Sequence, residues 1–366
     1  MAACRVPGVP WIASKILETR IPIVAPIVNT VLHSTFVGGT TCTEALKTCS
    51  NAWPPEKVRP MLDFAAEANN GRHPDKVVEI LHQSIDAAAS HQSVVIIKPS
   101  ALLEDAATKE DVWHQPEAVQ RLERRLVDLA KHARDANVVL MVDAEQFHTL
   151  DATRDVVRSL QREFNQCDRA VVYGTTQAYL RRSRDDVLDD LSDATVHNYS
   201  LGVKLVRGAY LEEERRRHAP MSPCFATLQE TTRCYSDVTD MLLNAIASPA
   251  MSSPHVVFAT HNRNSILHAV AGMRDRQLLI NDRVPHVSFA QLWGMADEVT
   301  FALAHDAVLK NNCGVFKYVP WGSPRDTALF LARRASENSM GTWAVDDIQA
   351  MVRELCSRVF FVNRFQ

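Results

Sequence analysis

The sequence has no long apolar run, almost no net charge and no closely spaced pair of cysteines. No stretch of about 18 consecutive apolar residues occurs, so no segment resembles a membrane-spanning helix. The net charge is −3 and no basic stripe stands out, which argues against a nucleic-acid partner. The eight cysteines include no C-x-x-C pair, which argues against a structural zinc site or a disulfide framework and favours a reducing compartment.

Patterns that bind dinucleotides or metals are also missing. The 12 glycines include no G-x-G spacing, so the fingerprint of a doubly wound dinucleotide-binding sheet is absent. No H-x-H pattern, H-E-x-x-H pattern or acidic cluster of the type that binds hard metal ions occurs. We therefore predict no metal site, and we favour a barrel over a doubly wound sheet.

The sequence does contain a regular series of strand-like runs in an ordinary soluble composition, with 46% apolar and 23% charged residues. Eight apolar runs recur at intervals of roughly 30 to 50 residues, the length of a βα unit. They are Met61–Ala65, Val94–Lys98, Val138–Asp143, Ala170–Gly174, Val203–Arg207, His255–Ala259, Val287–Ala290 and Gly314–Tyr318. The runs lack a clean polar alternation, as expected for parallel strands buried on both faces. We predict an α/β fold, a distorted (βα)8 TIM-like barrel.

Helical patterns fill the intervals between these runs. Helices are predicted at Pro116–Asn137, Asp151–Phe164, Leu228–Ala247 and Leu329–Asn338, with a charged loop at Glu212–Pro223 and a C-terminal helix at Val345–Val359. We divide the chain into an N-terminal arm with a helical segment, residues 1–55, and a catalytic barrel, residues 56–366.

The N-terminal residues are basic and apolar, with Glu18 as the single acid among the first twenty. This composition weakly resembles a mitochondrial transit segment, and a truncated start would explain it equally well. Residues 21–37 are mostly apolar but contain two prolines. Because prolines interrupt the helix that interfacial binding needs, we favour an arm packed on the barrel over a peripheral membrane contact.

Polar groups stand at the end of strand after strand. They are Asp63, Lys98, Asp143, Gln177, Tyr210, His261, Gln291 and Tyr318. In a (βα)8 barrel these positions face the catalytic mouth. The pattern therefore predicts a polar site at one end of the barrel.

Lys98 and Asp143 are the first candidates for chemistry at this site. Lys98 could clamp a carboxylate or act as a Schiff-base nucleophile, and it could equally be a lysine that merely reaches out of a strand end. Asp143 needs a partner if it is buried, and Lys98 or Lys204 could supply one.

The segment after the fifth run suggests a bound cofactor. Gly208 and Ala209 would let a bulky flat ligand approach the backbone. Arg207 suits a phosphate, and Tyr210 could pack against a small apolar ring. His261 and Asn262 add donors at the end of the next run.

Arg333, Arg334 and Glu337 lie within about one turn of the predicted helix Leu329–Asn338 and would share one patch of its surface. Paired guanidinium groups hold a carboxylate through two-point hydrogen bonds. Together with the carboxylate they would form a site for a zwitterion. The alternative is a solvated ladder of ion pairs.

With these pieces in order, the chain resembles the proline dehydrogenase family. The blocks that carry the resemblance are Ile97–Leu102, Met141–Glu145, Thr176–Arg182, Lys204–Leu211, Phe258–Asn262, Gln291–Met295 and Lys317–Gly322, continuing to Arg333-Arg334 and Glu337-Asn338. They occur in the family's order from about residue 36 to residue 338. The resemblance implies a distorted barrel that binds FAD, oxidises L-proline to Δ1-pyrroline-5-carboxylate and passes electrons to a membrane quinone. It also implies the matrix side of the mitochondrial inner membrane, or the periphery of the inner membrane in a bacterium.

The resemblance also implies roles for individual residues. Asp143 and Lys204 match catalytic positions. The substrate would be bound by Lys98, Tyr210, Leu292, Tyr318, Arg333, Arg334 and Glu337. The flavin would be bound by Ala144, Gln177, Lys204, Arg207, Gly208, Ala209, Thr260, His261 and Asn262.

Two departures and three rival functions accompany this resemblance. Phe330 stands where the family usually has a tyrosine, and Lys204 replaces an arginine common in bacterial members. The nearest rival is a hydroxyproline dehydrogenase, although Tyr318 favours proline because that branch has a smaller residue there. The others are a lyase that uses Lys98 as a Schiff-base nucleophile and a catalytically silent scaffold.

Overall fold

The computed structural model describes residues 33–66, 72–104, 106, 110–166, 169–248, 253–279, 286–328 and 330–331. Eight parallel strands close into a barrel in which each strand pairs with its neighbours in chain order and the last pairs with the first. The strands are β1 Arg59–Phe64, β2 Val94–Ile97, β3 Val139–Val142, β4 Val172–Gln177, β5 Gly202–Val206, β6 His255–Ala259, β7 Val287–Leu292 and β8 Gly314–Trp321. The predicted (βα)8 barrel is confirmed, with all eight strands near their expected places.

Helices connect these strands on the outside of the barrel. They are α1 Cys42–Ala52, α2 Pro74–Ala89, α3 Pro116–Asp135, α4 Leu150–Phe164, α5 Ser183–His197, α6 Leu211–Arg217, α7 Leu228–Ala247, α8 Arg263–Asp275, α9 Asp297–His305 and α10 Leu309–Asn312. Within the described residues, none is both long and apolar enough to cross a bilayer.

Helix boundaries follow local sequence signals. The predicted helix Leu228–Ala247 is observed at the same bounds as α7. It begins with a capping box, because the Thr227 hydroxyl accepts from the Glu230 N–H at 3.2 Å and the Glu230 carboxylate accepts from the Thr227 N–H at 2.9 Å. In α3, Leu122, Leu126 and Leu129 recur at helical spacing and are buried against the barrel.

The prediction of a loop over Glu212–Pro223 was wrong at its start, where the structure forms α6. Three glutamates occupy its first turn and three arginines its last. Acidic groups near a helix N-terminus and basic groups near its C-terminus complement the helix dipole. This charge order stabilises a helix that the apolar spacing alone did not reveal.

A plug of side chains fills the barrel beneath its mouth. It includes Met61, Ile96, Met141 and Phe316, all buried. Because these residues point inward from four strands, the barrel interior is a packed core, and open space remains only at its end.

The described part of the predicted arm packs on the barrel. Phe36 and Val37 are buried, and the Gly38 N–H donates to the Pro320 carbonyl at 2.8 Å. Helix α1 contacts β1 and β8. Residues 1–32 and the predicted helix Val345–Val359 lie outside the described residues.

Candidate active site at the carboxyl ends of the strands

A cavity of about 390 Å³ opens at the carboxyl ends of the barrel strands. The predicted site residues that it gathers are Lys98, Asp143, Ala144, Gln177, Lys204, Arg207, Gly208, Ala209, Tyr210, Thr260, His261, Asn262, Leu292 and Tyr318. Every predicted site residue in the described part of the chain thus lines one cavity. A cavity of this volume is typical of small-molecule sites.

Arg333, Arg334 and Glu337 lie outside the described residues. The structure describes this part of the chain only to Leu331, and Phe330 is buried and lines the cavity. The chain therefore reaches the cavity wall three residues before the first of the paired arginines.

A network of three side chains crosses the mouth from β3, β5 and β8. The Lys204 ammonium donates to one carboxylate oxygen of Asp143. The Tyr318 hydroxyl donates to the other at 3.0 Å. Lys204 Nζ also lies 5.4 Å from the centre of the Tyr318 ring. Burial, followed by the negative charge of Asp143, raises the pKa of Tyr318 well above its ordinary value, so the phenol remains a donor at physiological pH.

A second buried ion pair joins β1 to β2. The Lys98 ammonium donates to Asp63 and, at 3.3 Å, to the Phe64 carbonyl. Asp63 is fully buried and Lys98 is 5% exposed. Of the two lysines proposed as partners for Asp143, Lys204 therefore forms the ion pair, whereas Lys98 pairs with Asp63.

One end of the Gln177 side-chain amide is hydrogen-bonded to the backbone. Its Nε2 donates to the Glu145 carbonyl at 2.8 Å, while the Glu145 carboxylate accepts from the Ser100 N–H and hydroxyl at 2.8 and 2.7 Å. The other end, Oε1, is buried without a hydrogen-bond partner among the described residues. This oxygen is available to accept from a ligand.

Arg207 presents a cation that is held without a carboxylate contact among the described residues. Its guanidinium donates to the Thr232 hydroxyl at 3.0 Å and the Ser265 hydroxyl at 2.9 Å. It also lies 5.5 Å from the ring centre of Tyr235. Burial lowers the pKa of Arg207, and an arginine nevertheless remains charged near neutral pH. Because the hydrogen-bond partners of Arg207 are neutral, they leave its positive charge uncompensated beside the cavity.

Gly208 has a packing role in addition to its place on the cavity wall. Its φ is +129°, and a Cβ at this position would lie 1.6 Å from a ring carbon of Tyr179. The close approach predicted from the sequence thus involves the Tyr179 ring as well as any ligand. No other residue fits this conformation and this contact.

The end of β6 and the start of α8 supply fixed polar groups. The Thr260 hydroxyl accepts from the Asn262 N–H at 3.1 Å, and the Asn262 side chain caps α8 by accepting from the Ser265 N–H at 2.9 Å. His261 Nε2 accepts from the Leu292 N–H at 2.9 Å. This bond also fixes the position of the Leu292 backbone.

Sequence reasoning missed several residues of the cavity wall, namely Met61, Thr175, Val206, Leu228 and Met295. Three of them follow from strand periodicity. Met61 and Thr175 stand two positions before Asp63 and Gln177, and Val206 stands two positions after Lys204, so each shares the face of a predicted residue. Leu228 and Met295 lie beyond strand ends, where no periodicity applies.

A barrel with charged and polar side chains gathered at the carboxyl ends of its strands has the architecture of the (βα)8 enzymes. The sequence model for proline dehydrogenase matches residues 45–345. The chain therefore belongs to the proline dehydrogenase family.

Individual relatives agree with this assignment. The chain is 35% identical over 222 residues to human "Proline dehydrogenase 1, mitochondrial", covering 60% of this chain and 35% of that one. It is 33% identical over 325 residues to "Carbapenem antibiotics biosynthesis protein CarD" of Pectobacterium carotovorum subsp. carotovorum, covering 85% and 80%. The match spans about one third of the length of the animal relatives, 33% in Drosophila melanogaster and 35% in human.

A solved structure supports the fold. Proline utilization A from Bdellovibrio bacteriovorus, inactivated by N-propargylglycine, superposes with a TM-score of 0.75 at 21% identity. The likeness covers 87% of this chain and 34% of that chain. The barrel is thus similar to one part of a longer protein.

Proposed function

We propose that this chain is an FAD-dependent enzyme that oxidises L-proline to Δ1-pyrroline-5-carboxylate and passes the electrons to a membrane quinone. The observation that carries the proposal is that one cavity gathers Lys98, the Lys204–Asp143 pair, the unpartnered Gln177 oxygen and the Arg207 cation. Membership of the proline dehydrogenase family lets us interpret these groups as the binding site for a flavin and for proline.

The residues at the mouth fit a flavin nucleotide. Gln177 Oε1 is a buried acceptor that suits an N–H of the isoalloxazine edge. Arg207 is a cation that suits the phosphates. Ala144, Gly208, Ala209, Thr260, His261 and Asn262 would complete the cofactor site. When bound, the flavin would supply the hydride-accepting chemistry that no amino-acid side chain provides.

The chain's own residues would bind and orient the substrate. Lys98, Arg333 and Arg334 would hold the proline carboxylate, and Glu337 would order the arginine pair. Tyr210, Leu292 and Tyr318 would enclose the ring. Lys204 would lie close to the reacting atoms, held there by Asp143. The positive charges would favour the neutral amine, the form from which a hydride departs more readily.

The rival functions have less support. Asp63 stabilises the Lys98 ammonium, whereas a Schiff-base nucleophile needs a neutral amine. The resemblance places a smaller residue at the position of Tyr318 in hydroxyproline dehydrogenases, whereas this chain keeps the tyrosine, whose hydroxyl donates to Asp143 at 3.0 Å. Proline is therefore the favoured substrate.

The acceptor and the cellular site are parts of the same proposal. Leu228, 63% exposed, stands on the cavity rim and offers an apolar surface to a quinone. Several relatives carry "mitochondrial" in their names, which supports the matrix side of the inner membrane, and a bacterial chain would work at the inner-membrane periphery. Oxidation by a soluble quinone analogue, with and without vesicles, tests this part.

The direct test compares substrates. The purified chain supplied with FAD and a quinone analogue should turn over L-proline with a much higher kcat/KM than trans-4-hydroxy-L-proline, and chemical trapping should identify a cyclic imine product. A preference for hydroxyproline would transfer the proposal to that substrate. Borohydride-trapped covalent adducts on Lys98 would replace it with the lyase.

A further inference from the structure

A second and smaller cavity lies behind the barrel wall, between β4 and helices α4 and α5. Its volume is about 70 Å³. It shares the wall residues Asp143, Ala144, Thr175 and Gln177 with the main cavity. The two cavities therefore lie on either side of the same stretch of wall, where β3 and β4 end.

The ladder of backbone pairs stops early at this point. β3 and β4 pair at two positions, ending with Met141 and Tyr173, although β4 continues to Gln177. The other neighbouring strands of the barrel pair at three to six positions. The wall thus loses its backbone closure beside Asp143.

A side-chain bond replaces the missing pairing between β3 and β4. The Asp143 N–H continues the regular ladder with β2 and donates to the Ile97 carbonyl at 2.9 Å, so it makes no bond to β4. The Thr175 hydroxyl donates to the Val142 carbonyl at 2.8 Å across the gap. A single side chain bridges the two strands here, which leaves a polar gap in the wall.

Unpartnered polar atoms line the smaller cavity. Thr153 Oγ1, Gln161 Oε1 and Arg158 Nε are buried without a hydrogen-bond partner among the described residues. Thr153 is 6% exposed and Gln161 2%. A polar cavity of this volume has room for a few ordered waters, which would satisfy these groups.

The outer end of the cavity reaches the helix layer. Arg154 on α4 contacts Asp186 and Asp190 on α5, and these three side chains are 18% to 22% exposed. Solvent can therefore reach the polar residues at the outer end of this cavity.

We propose that this side cavity is a hydrated route that exchanges protons between Asp143 and solvent during turnover. The proposal rests on the proposed function. Oxidation of zwitterionic proline to the imine removes a hydride from the ring carbon and two protons from the ring nitrogen. The flavin that the proposed function requires would supply the acceptor for the hydride and for one proton. The second proton has to leave the site, and Asp143 lines both the site and the side cavity.

The experiment alters the cavity in two ways, by removing a polar group from its lining and by narrowing it. Thr153→Val keeps the volume and deletes the unpartnered hydroxyl. Gly174→Ala narrows the cavity near the gap, because the new Cβ would lie 3.1 Å from Val157 Cγ1. Thr239→Val is the matched control, since Thr239 is a fully buried helical threonine whose hydroxyl donates to the Tyr235 carbonyl at 2.8 Å.

Both cavity variants should lower the kcat for proline oxidation about threefold or more, corresponding to a modest rise in the barrier. Their solvent deuterium isotope effect should rise, the KM for proline should stay near the wild-type value, and small buffer acids should partly restore kcat. Thr239→Val should match the wild type in all four readouts. A high-resolution crystal structure should show ordered water against Thr153 and Gln161.

The proposal is overturned if Thr153→Val and Gly174→Ala match Thr239→Val in kcat and isotope effect while the wild type oxidises proline. A dry cavity in the wild-type crystal also overturns it, and this readout needs neither variant to fold. If the wild type does not oxidise proline, the proposed function is wrong, and the reaction that would release the second proton does not occur.

Discussion

Two lysine–carboxylate pairs, buried except for the partly exposed Asp143, organise the mouth of the barrel at the residue scale. Burying an ion is costly, and a partner with good geometry offsets much of that cost. Lys98 with Asp63 and Lys204 with Asp143 meet this condition, and the four residues lie on, or directly after, four different strands. Removing one member would leave its partner charged and buried, so tests of chemistry are cleaner on the neutral groups around the pairs.

Tyr318→Phe is the cleanest such change. It keeps the ring that would enclose the substrate and deletes the donor to Asp143. A hydrogen bond to a charged acceptor contributes about 1.5 kcal/mol or more, so kcat/KM for proline should fall about tenfold. Steady-state kinetics measure this. An unchanged kcat/KM would show that the hydroxyl does not support Asp143 in the reaction.

Arg207→Met tests the cofactor site. The guanidinium has hydroxyl partners and no carboxylate contact among the described residues, so its charge is available to a phosphate. We expect the Kd for FAD to rise about tenfold or more, because charge-assisted bonds contribute roughly 1.5 to 3 kcal/mol. Fluorescence titration of FAD measures the change.

Arg276→Met is the matched control for this charge loss. Arg276 lies outside the cavity wall, and its guanidinium contacts Asp240 at 3.1 Å. FAD affinity should stay at the wild-type value in this variant. Equal losses in the two variants would mean that overall charge, and not the position of Arg207, governs binding.

At the scale of secondary-structure elements, the strands could be predicted from the sequence, whereas the side-chain contacts between them could not. Most strands are apolar, largely buried runs rich in β-branched residues, a signal carried by the segment itself. The choice of Lys204 over Lys98 as the partner of Asp143 depends on how three strands meet across the barrel. The contact of Gly208 with Tyr179 likewise depends on tertiary packing. No local pattern encodes either contact.

Helix α6 shows a further limit of local reasoning. Its charges follow the helix dipole, and its buried residue is Glu214, which an apolar period does not detect. The Glu214 carboxylate accepts from the Phe147 N–H at 2.7 Å and so ties α6 to the turn after β3. An element of the mouth is thus held by a buried acid.

Glu214→Gln should reveal the cost of that buried charge. Burial, opposed by the Phe147 N–H and His218, raises the pKa of Glu214 above its ordinary value of 4.5. The unfolded chain therefore loses its proton first, and the folded state loses stability as pH rises from 4.5 towards the raised pKa. Glutamine can still accept from Phe147 and carries no charge.

We therefore expect the free energy of unfolding of Glu214→Gln, relative to wild type, to increase above pH 4.5 and then level off. Urea unfolding at a series of pH values measures it. Glu213→Gln, which removes a charge from the more exposed side of the same helix, is the control. A relative stability that falls with rising pH would contradict a raised pKa at Glu214.

At the scale of the whole molecule, one barrel brings together residues that are far apart in the sequence. Lys98 and Tyr318 are separated by 220 positions and line the same cavity because β2 and β8 flank β1. Adjacent parallel strands deliver their carboxyl ends to one face, so strand-end residues converge even when their neighbours in sequence do not. The sequence could therefore predict the membership of the site, while its internal bonds required the fold.

The central claim concerns a flavin that proline reduces in this cavity. The most direct measurement is the visible absorption spectrum of the purified chain supplied with FAD, recorded without oxygen before and after L-proline is added. We expect a bound-flavin band near neutral pH that bleaches on addition of L-proline and remains unchanged on addition of D-proline. A protein that takes up no flavin, or a flavin band that L-proline leaves unchanged, would contradict the account.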